Sequence, residues 1–109
     1  MTVRYSVLVP VYNEEESILE LMRRLHETFA ALGASSSFEA IFIDDGSTDG
    51  TVTVLDELAS ADSRVRVVRF RRNSGKSLAL MAGLQHVQGD IVITIDGDLQ
   101  DDPADIPLL

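Results

Sequence analysis

Four short apolar runs, separated by stretches of helical periodicity, constrain this chain more than any other feature. The runs are residues 5–9, 38–43, 65–70 and 91–95. Each has strand length and is rich in β-branched or aromatic side chains. Pro10 cannot donate to a ladder, so pairing of the first strand is expected to stop there. Glu14, Glu15 and Glu16 are expected in the first turn of the following helix, where the helix dipole favours negative charge. Ile18, Met22, Leu25, Phe29 and Leu32 then recur at steps of four and three, forming one apolar stripe, and Gly33 closes the helix. Ser47, Thr48 and Asp49 can cap a second helix with Val52, Leu55, Leu58 and Ala59 inward. After the loop 71–77, a third helix is expected to turn Leu78, Met81, Leu84 and Val87 to the core and to end at Gly89. His26 lies beside the first stripe without a metal-type partner at helical spacing and reads as a surface or flank histidine. Strands alternating with amphipathic helices imply right-handed crossovers. The expected fold is therefore α/β, a Rossmann-like, mostly parallel sheet with helices on both faces. At 109 residues there is room for one domain, residues 1–109.

A hydrophobic content of 45% supports a packed core. The net charge of −9 argues against nucleic acid as the partner, because phosphate backbones demand a basic surface, and it fits a chain that gathers cations. There are no cysteines, which excludes disulfides and thiolate zinc sites. No apolar run reaches the roughly 18 residues of a membrane span. The first apolar run is also too short for a signal peptide. No internal repeat or low-complexity tract is present, and only residues 34–37 read as a flexible connection.

The fourth run, read as a strand buried on both sides, delivers Asp96 and Asp98 to its end with Gly97 between them. Two carboxylates at this spacing form a hard oxygen site suited to Mg2+ or Mn2+, ions that commonly share coordination with substrate phosphates. Gly97 leaves room for close approach to the backbone. Taken alone, Asp-Gly-Asp favours the reading as an acidic turn that merely ends a strand, because acidic turns are common. In a parallel sheet, however, all loops that follow strands share one edge, where open α/β folds bind ligands. That edge gathers Asn13, Glu14, Asp44, Asp45, residues 71–76 and residues 96–101. Carboxylates, a basic loop and helix N-termini together suit a nucleoside diphosphate chelated to a divalent ion. Asp98 is the expected direct metal ligand. Asp96 would hold the ribose, or the metal through water. Asp45 would accept hydrogen bonds from base or ribose, supported by Asp44, whereas Asp49 reads as a helix cap.

Three other phosphate-binding patterns compete for these residues. Gly75-Lys76-Ser77 resembles the end of a P-loop, but that motif needs a glycine where Phe70 stands. A phosphoacceptor receiver needs an acidic pair after the first strand, and here the pair follows the second. No Gly-x-Gly-x-x-Gly follows any of the runs.

Four segments carry a family resemblance: Val-Pro-Val-Tyr-Asn-Glu-Glu from residue 9, Asp-Asp-Gly-Ser-Thr-Asp-Gly-Thr from residue 44, Asn-Ser-Gly-Lys from residue 73, and Ile-Asp-Gly-Asp-Leu-Gln-Asp-Asp-Pro from residue 95. In this order and spacing they resemble family 2 glycosyltransferases of the GT-A fold. The branch they are most similar to is the polyprenyl-phosphate glycosyltransferases, which includes dolichol-phosphate mannose synthase. The resemblance implies a nucleotide-sugar donor (UDP- or GDP-sugar), a polyprenyl phosphate acceptor, a divalent metal and inversion at the sugar carbon. By motif, Pro10, Tyr12 and Glu14 would line base and ribose, with Asn13 in the same segment. Asp45 would contact the nucleoside, and Lys76 would lie near the donor phosphates or the acceptor. Asp96 and Asp98 would be the metal and diphosphate pair, with Gly97 where alanine is more frequent. Family members continue well past this length, with acceptor-binding residues and often membrane-associating segments. The chain thus reads as an N-terminal, nucleotide-binding part that holds the donor half of a site. A non-catalytic nucleotide- and metal-binding module is the alternative. Cytoplasmic placement at the inner membrane face, and association through an unpaired sheet edge, are the corresponding expectations.

Overall fold

The computed structural model describes residues 3–97. Asp98, the segment 98–103 and the helix expected at Pro103 lie outside the described residues. The order of elements is β1 (Tyr5–Val11), α1 (Ile18–Ala31), β2 (Phe38–Asp44), α2 (Thr51–Ala61), β3 (Val65–Arg69), α3 (Lys76–Leu84) and β4 (Ile91–Thr94). The four strands form one parallel sheet in the order β3-β2-β1-β4. The α/β architecture is as expected.

Strand pleating sends alternate side chains to opposite faces. Val7, Val9, Phe38, Ala40, Phe42 and Ile93 join the main core with Ile18, Leu21, Met22, Leu25, Phe29 and Leu55 of α1 and α2. Leu8, Ile41 and Ile43 meet Ala79 of α3 in a smaller cluster on the other face. Phe29 stacks on Phe38 with ring centroids 4.4 Å apart, and Tyr5 abuts Phe29 at 5.3 Å. Helix α1 ends in a Schellman motif: Gly33, at φ +68°, donates to the Ala30 carbonyl, and Ala34 donates to that of Phe29.

Several sequence expectations are corrected here. Pro10 lies inside β1, opposite Ile43. The Leu8 carbonyl accepts from Ile95 and the Val11 carbonyl from Asp45, so even-numbered residues of β1 face β4 and odd-numbered ones face β2. The missing N–H of Pro10 therefore points past the paired end of β4 and costs no β1–β2 bond. Glu14, Glu15 and Glu16 precede α1, which starts after Ser17. Leu21 belongs to the α1 stripe, while Leu32 is exposed. Strand β4 pairs only with β1 among the described residues, and Ile91, Val92 and Thr94 are exposed, so the run is not buried on both sides. Helix α3 is rotated from the expected face. Ala79 and Gly83 are buried, while Leu78, Met81 and Leu84 are exposed. The cause is steric: a Cβ on Gly83 would lie 2.8 Å from Ile43 Cδ1, so only a small-residue face can approach the sheet this closely. Gly89 follows α3 rather than ending it. A Cβ there would lie 2.7 Å from the Arg4 carbonyl oxygen, so this glycine serves a close approach to β1.

His26 finds a partner from another element. Its Nε2 lies 2.6 Å from Asp62 Oδ2, and its ring meets Phe38 edge-on. Burial pushes the Asp62 carboxyl up, but the Arg64 N–H, the His26 ring and the nearby positive charges outweigh it and hold Asp62 below its ordinary range.

Leu78→Gln should change unfolding free energy in urea by less than about 0.5 kcal/mol, whereas Ala79→Leu should cost about 1–3 kcal/mol through overpacking. The Asp62 contribution is present above the unfolded carboxylate pKa of about 3.9 and is lost as pH falls through the lower folded value. Between about pH 6 and about pH 3, the melting temperature of Asp62→Asn should therefore fall less than that of the parent chain.

Candidate functional site

The chain runs β1, β2, β3 in one direction and then returns to place β4 on the opposite side of β1. The reversal leaves a crevice between the carboxyl ends of β1 and β4, the position where open α/β sheets bind ligands. A cleft of about 330 Å³ lies there, lined by Pro10, Val11, Tyr12, Glu14, Asp45, Lys76, Asp96 and Gly97. Pleating contributes to this selection: Ile93 and Ile95 pack in the main core on the α1 face, leaving Asp96 for the α3 face.

The loops around the cleft are clasped by hydrogen bonds. Asn13, at φ +53°, donates its N–H to Ser47 Oγ, and its Oδ1 accepts from the N–H groups of Thr48 and Asp49. Glu14 N–H donates to Thr51 Oγ1. Asp49 accepts from the Thr51 N–H and hydroxyl, chiefly the latter, which holds its carboxyl below the ordinary range. Asp45 is 5% exposed, and its two oxygens accept from the N–H groups of Ser74 and Gly75. Asp44 accepts from Ser47 N–H through Oδ1, while its buried Oδ2 has no hydrogen-bond partner among the described residues. Gly46, at φ +79°, lets the β3–α3 loop press in: a Cβ there would lie 2.3 Å from the Arg72 carbonyl carbon. Ser17 Oγ donates to the Gly97 carbonyl at 2.6 Å, tying the start of α1 to the end of β4. A Cβ on Gly97 would meet Val11 Cγ1 at 2.6 Å, so glycine suits the tight seam between these strand ends.

Of the residues singled out in the sequence, Pro10, Tyr12, Glu14, Asp45, Lys76, Asp96 and Gly97 converge on the cleft. Asn13 and Asp44 do not line it, and their side-chain Oδ1 atoms accept from N–H groups of the β2–α2 loop. Asp98 lies outside the described residues. Lys76, the first residue of α3, forms an ion pair with Asp96. Sequence reasoning missed Ser17. Its position just before the first apolar residue of α1 signals a cap, yet the hydroxyl bridges to β4 instead of capping the helix.

Among the described residues, no three acidic or histidine side chains form a group able to enclose a metal. Asp96 nevertheless presents a half-exposed carboxylate to the cleft, already in contact with the Lys76 ammonium. A site with one or two carboxylates suits an ion that takes its other oxygens from a bound phosphate and water. The residues present therefore fit a divalent cation carried with a diphosphate.

A match to the family Glycosyl transferase family 2 covers residues 6–109. The chain belongs to this family. Over 107 residues it is 47% identical to undecaprenyl-phosphate 4-deoxy-4-formamido-L-arabinose transferase of Klebsiella pneumoniae subsp. pneumoniae, a match covering 97% of this chain and 32% of the relative. The chain thus spans about a third of the length of the curated relatives it matches. Its fold is similar to that of mannosyltransferase PcManGT from Pyrobaculum calidifontis, in complex with GDP-Man and Mn2+ (TM-score 0.75, 30% identity, 90% of this chain and 28% of that one). It is similar also to S. aureus TarS in complex with UDP (TM-score 0.75, 29% identity, 88% of this chain and 28% of that one). These likenesses agree with the GT-A fold expected from the motifs.

Gly46→Ala combines an unfavourable φ with a backbone clash and should cost on the order of 3 kcal/mol. Gly33→Ala faces open space and should cost only about 1–2 kcal/mol. Urea unfolding of the two variants measures the difference.

Proposed function

We propose that this chain supplies the donor-binding part of a glycosyltransferase that moves a sugar from a nucleotide diphosphate sugar to a polyprenyl phosphate. The observation that carries this reading is the cleft at the strand-order reversal, where carboxylates and a lysine meet at the ends of β1 and β4. The acceptor class follows the undecaprenyl-phosphate transferase that the chain resembles, and the donor class follows the nucleotide complexes of its structural neighbours.

In the proposed step, an acceptor phosphate oxygen attacks the anomeric carbon from the face opposite the leaving group. The bond from that carbon to the diphosphate oxygen breaks, and the nucleoside diphosphate departs with the electron pair. The sugar is inverted. The nucleophile is already an anion, so no general base is required. Tyr12 and Glu14, beside Pro10, face the base and ribose. Asp45 has one N–H on each oxygen and retains lone pairs for the nucleoside. Lys76 faces the diphosphate. Asp96 holds the cation side of the site, with Asp98 as its expected partner beyond the described residues. When bound, Mg2+ or Mn2+ neutralises charge gathering on the leaving diphosphate. Clasped loops hold these groups in place before the donor arrives, which lowers the ordering cost of binding. No helix among the described residues is long and apolar enough to cross a membrane. Contact with a lipid acceptor at the cytoplasmic membrane face is assigned to other parts of a longer protein.

Calorimetric titration of UDP and GDP, each with and without Mn2+, tests this reading. One nucleotide should bind in a Mn2+-dependent manner, and Asp96→Asn should weaken it by about tenfold or more, equivalent to about 1.4 kcal/mol. Failure of both nucleotides to bind the folded chain in the presence of Mn2+ would overturn it.

A further inference from the structure

Lys76 stands in an unusual place for a cation. It is the first residue of α3, where the helix dipole disfavours positive charge. Its ammonium is nevertheless drawn to Asp96, across the cleft and from another element. Both side chains are accessible, with exposures of 59% for Lys76 and 35% for Asp96, so solvent and ligands reach the pair. Exposed pairs of this kind contribute little to stability. The ion pair is thus better explained by the cleft than by the fold.

We propose that Lys76 is a built-in counter-ion that competes with the divalent cation for Asp96 until a nucleoside diphosphate arrives. This rests on the reading of Asp96 as a cation ligand. In the nucleotide-free chain, the ammonium occupies the carboxylate and weakens binding of a bare metal ion. A diphosphate offers the ammonium a second anion in the same cleft. The long, flexible lysine stem lets the charge swing from carboxylate to phosphate. Asp96 is then released to the divalent ion, which takes further oxygens from the same diphosphate. Metal and nucleotide binding are therefore coupled, and by linkage the coupling is reciprocal. Such an arrangement limits capture of metal ions by the empty cleft in a chain whose net charge is −9.

Mn2+ binding to the chain, followed by electron paramagnetic resonance of the free ion without nucleotide and then with UDP or GDP, tests the exchange. Lys76→Gln should bind Mn2+ alone about two- to fivefold more tightly than the parent, the range open to a solvent-exposed ion pair. In the same variant, the nucleotide should enhance Mn2+ affinity less than it does in the parent. Lys76→Arg, which keeps the charge, should stay near the parent on both counts. Mn2+ affinity of Lys76→Gln equal to or weaker than that of the parent, with a parental melting temperature, would overturn the exchange. Asp96→Asn separates the two levels. If it lowers Mn2+ affinity while Lys76→Gln has no effect, the exchange fails and the cation site stands. If it leaves Mn2+ binding unchanged, the cation-ligand reading of Asp96 fails, and the exchange with it.

Discussion

Every feature of the cleft depends on one constraint: β1 pairs in parallel with β2 on one side and with β4 on the other. A central strand with two parallel neighbours must have its hydrogen-bonding groups shared between them. Odd-numbered residues of β1 face β2 and even-numbered ones face β4, as the Val11 and Leu8 carbonyls record. The same pairing brings the end of β4 beside the end of β1, although Pro10 and Asp96 lie far apart in the chain. The side-chain alternation then does the sorting. Ile95 goes to the core and Asp96 to the cleft. Shifting the β1–β4 register by one residue would exchange them, placing a carboxylate against α1 and an isoleucine in the site.

On this scaffold the polar residues of the strand ends divide into two kinds of work. Asn13, Ser17 and Thr51 hold separate segments to one another, while Asp44 and Asp49 brace the β2–α2 connection from within, and the acceptor groups of Asn13 and Asp49 are largely used in these bonds. Asp45 does both, because it anchors the β3–α3 loop while its edge still lines the cleft. Tyr12, Glu14, Lys76 and Asp96 remain at the surface of the cleft. At the opposite end of the sheet, buried Glu39 accepts from Ser6 Oγ, the Gln88 N–H and Arg66, while Ser6 Oγ accepts from Gly89 N–H. That network fixes the connection from α3 to β4 and so sets where β4 begins. A buried carboxylate with three donors is a satisfied structural group, and its location places it outside the ligand site.

The elements were legible because each obeys a local rule. Apolar runs of strand length, the α1 stripe and Gly33 need only the neighbouring residues to declare themselves. Errors arose where distant contacts overruled local pattern. Leu78, Met81 and Leu84 form a convincing apolar stripe, yet α3 turns Ala79 and Gly83 to the sheet because Leu8 and Ile43 already fill that space. Pro10 should end a strand, yet its missing donor falls on the side where β4 pairing has stopped. His26 lacked a helical partner and found Asp62 instead, 36 residues away.

Sequence alone therefore determined the α/β alternation, the family, and the set of polar residues gathered along one sheet edge. These follow from periodicity and from motifs contiguous in the chain. Tertiary structure decided which of those residues face a ligand and which hold a loop, how α3 is rotated, and that Lys76 meets Asp96. The physical reason is that such choices depend on strand order, pleat parity and steric fit between segments far apart in the chain. No local pattern of residues encodes these separately from the packing itself.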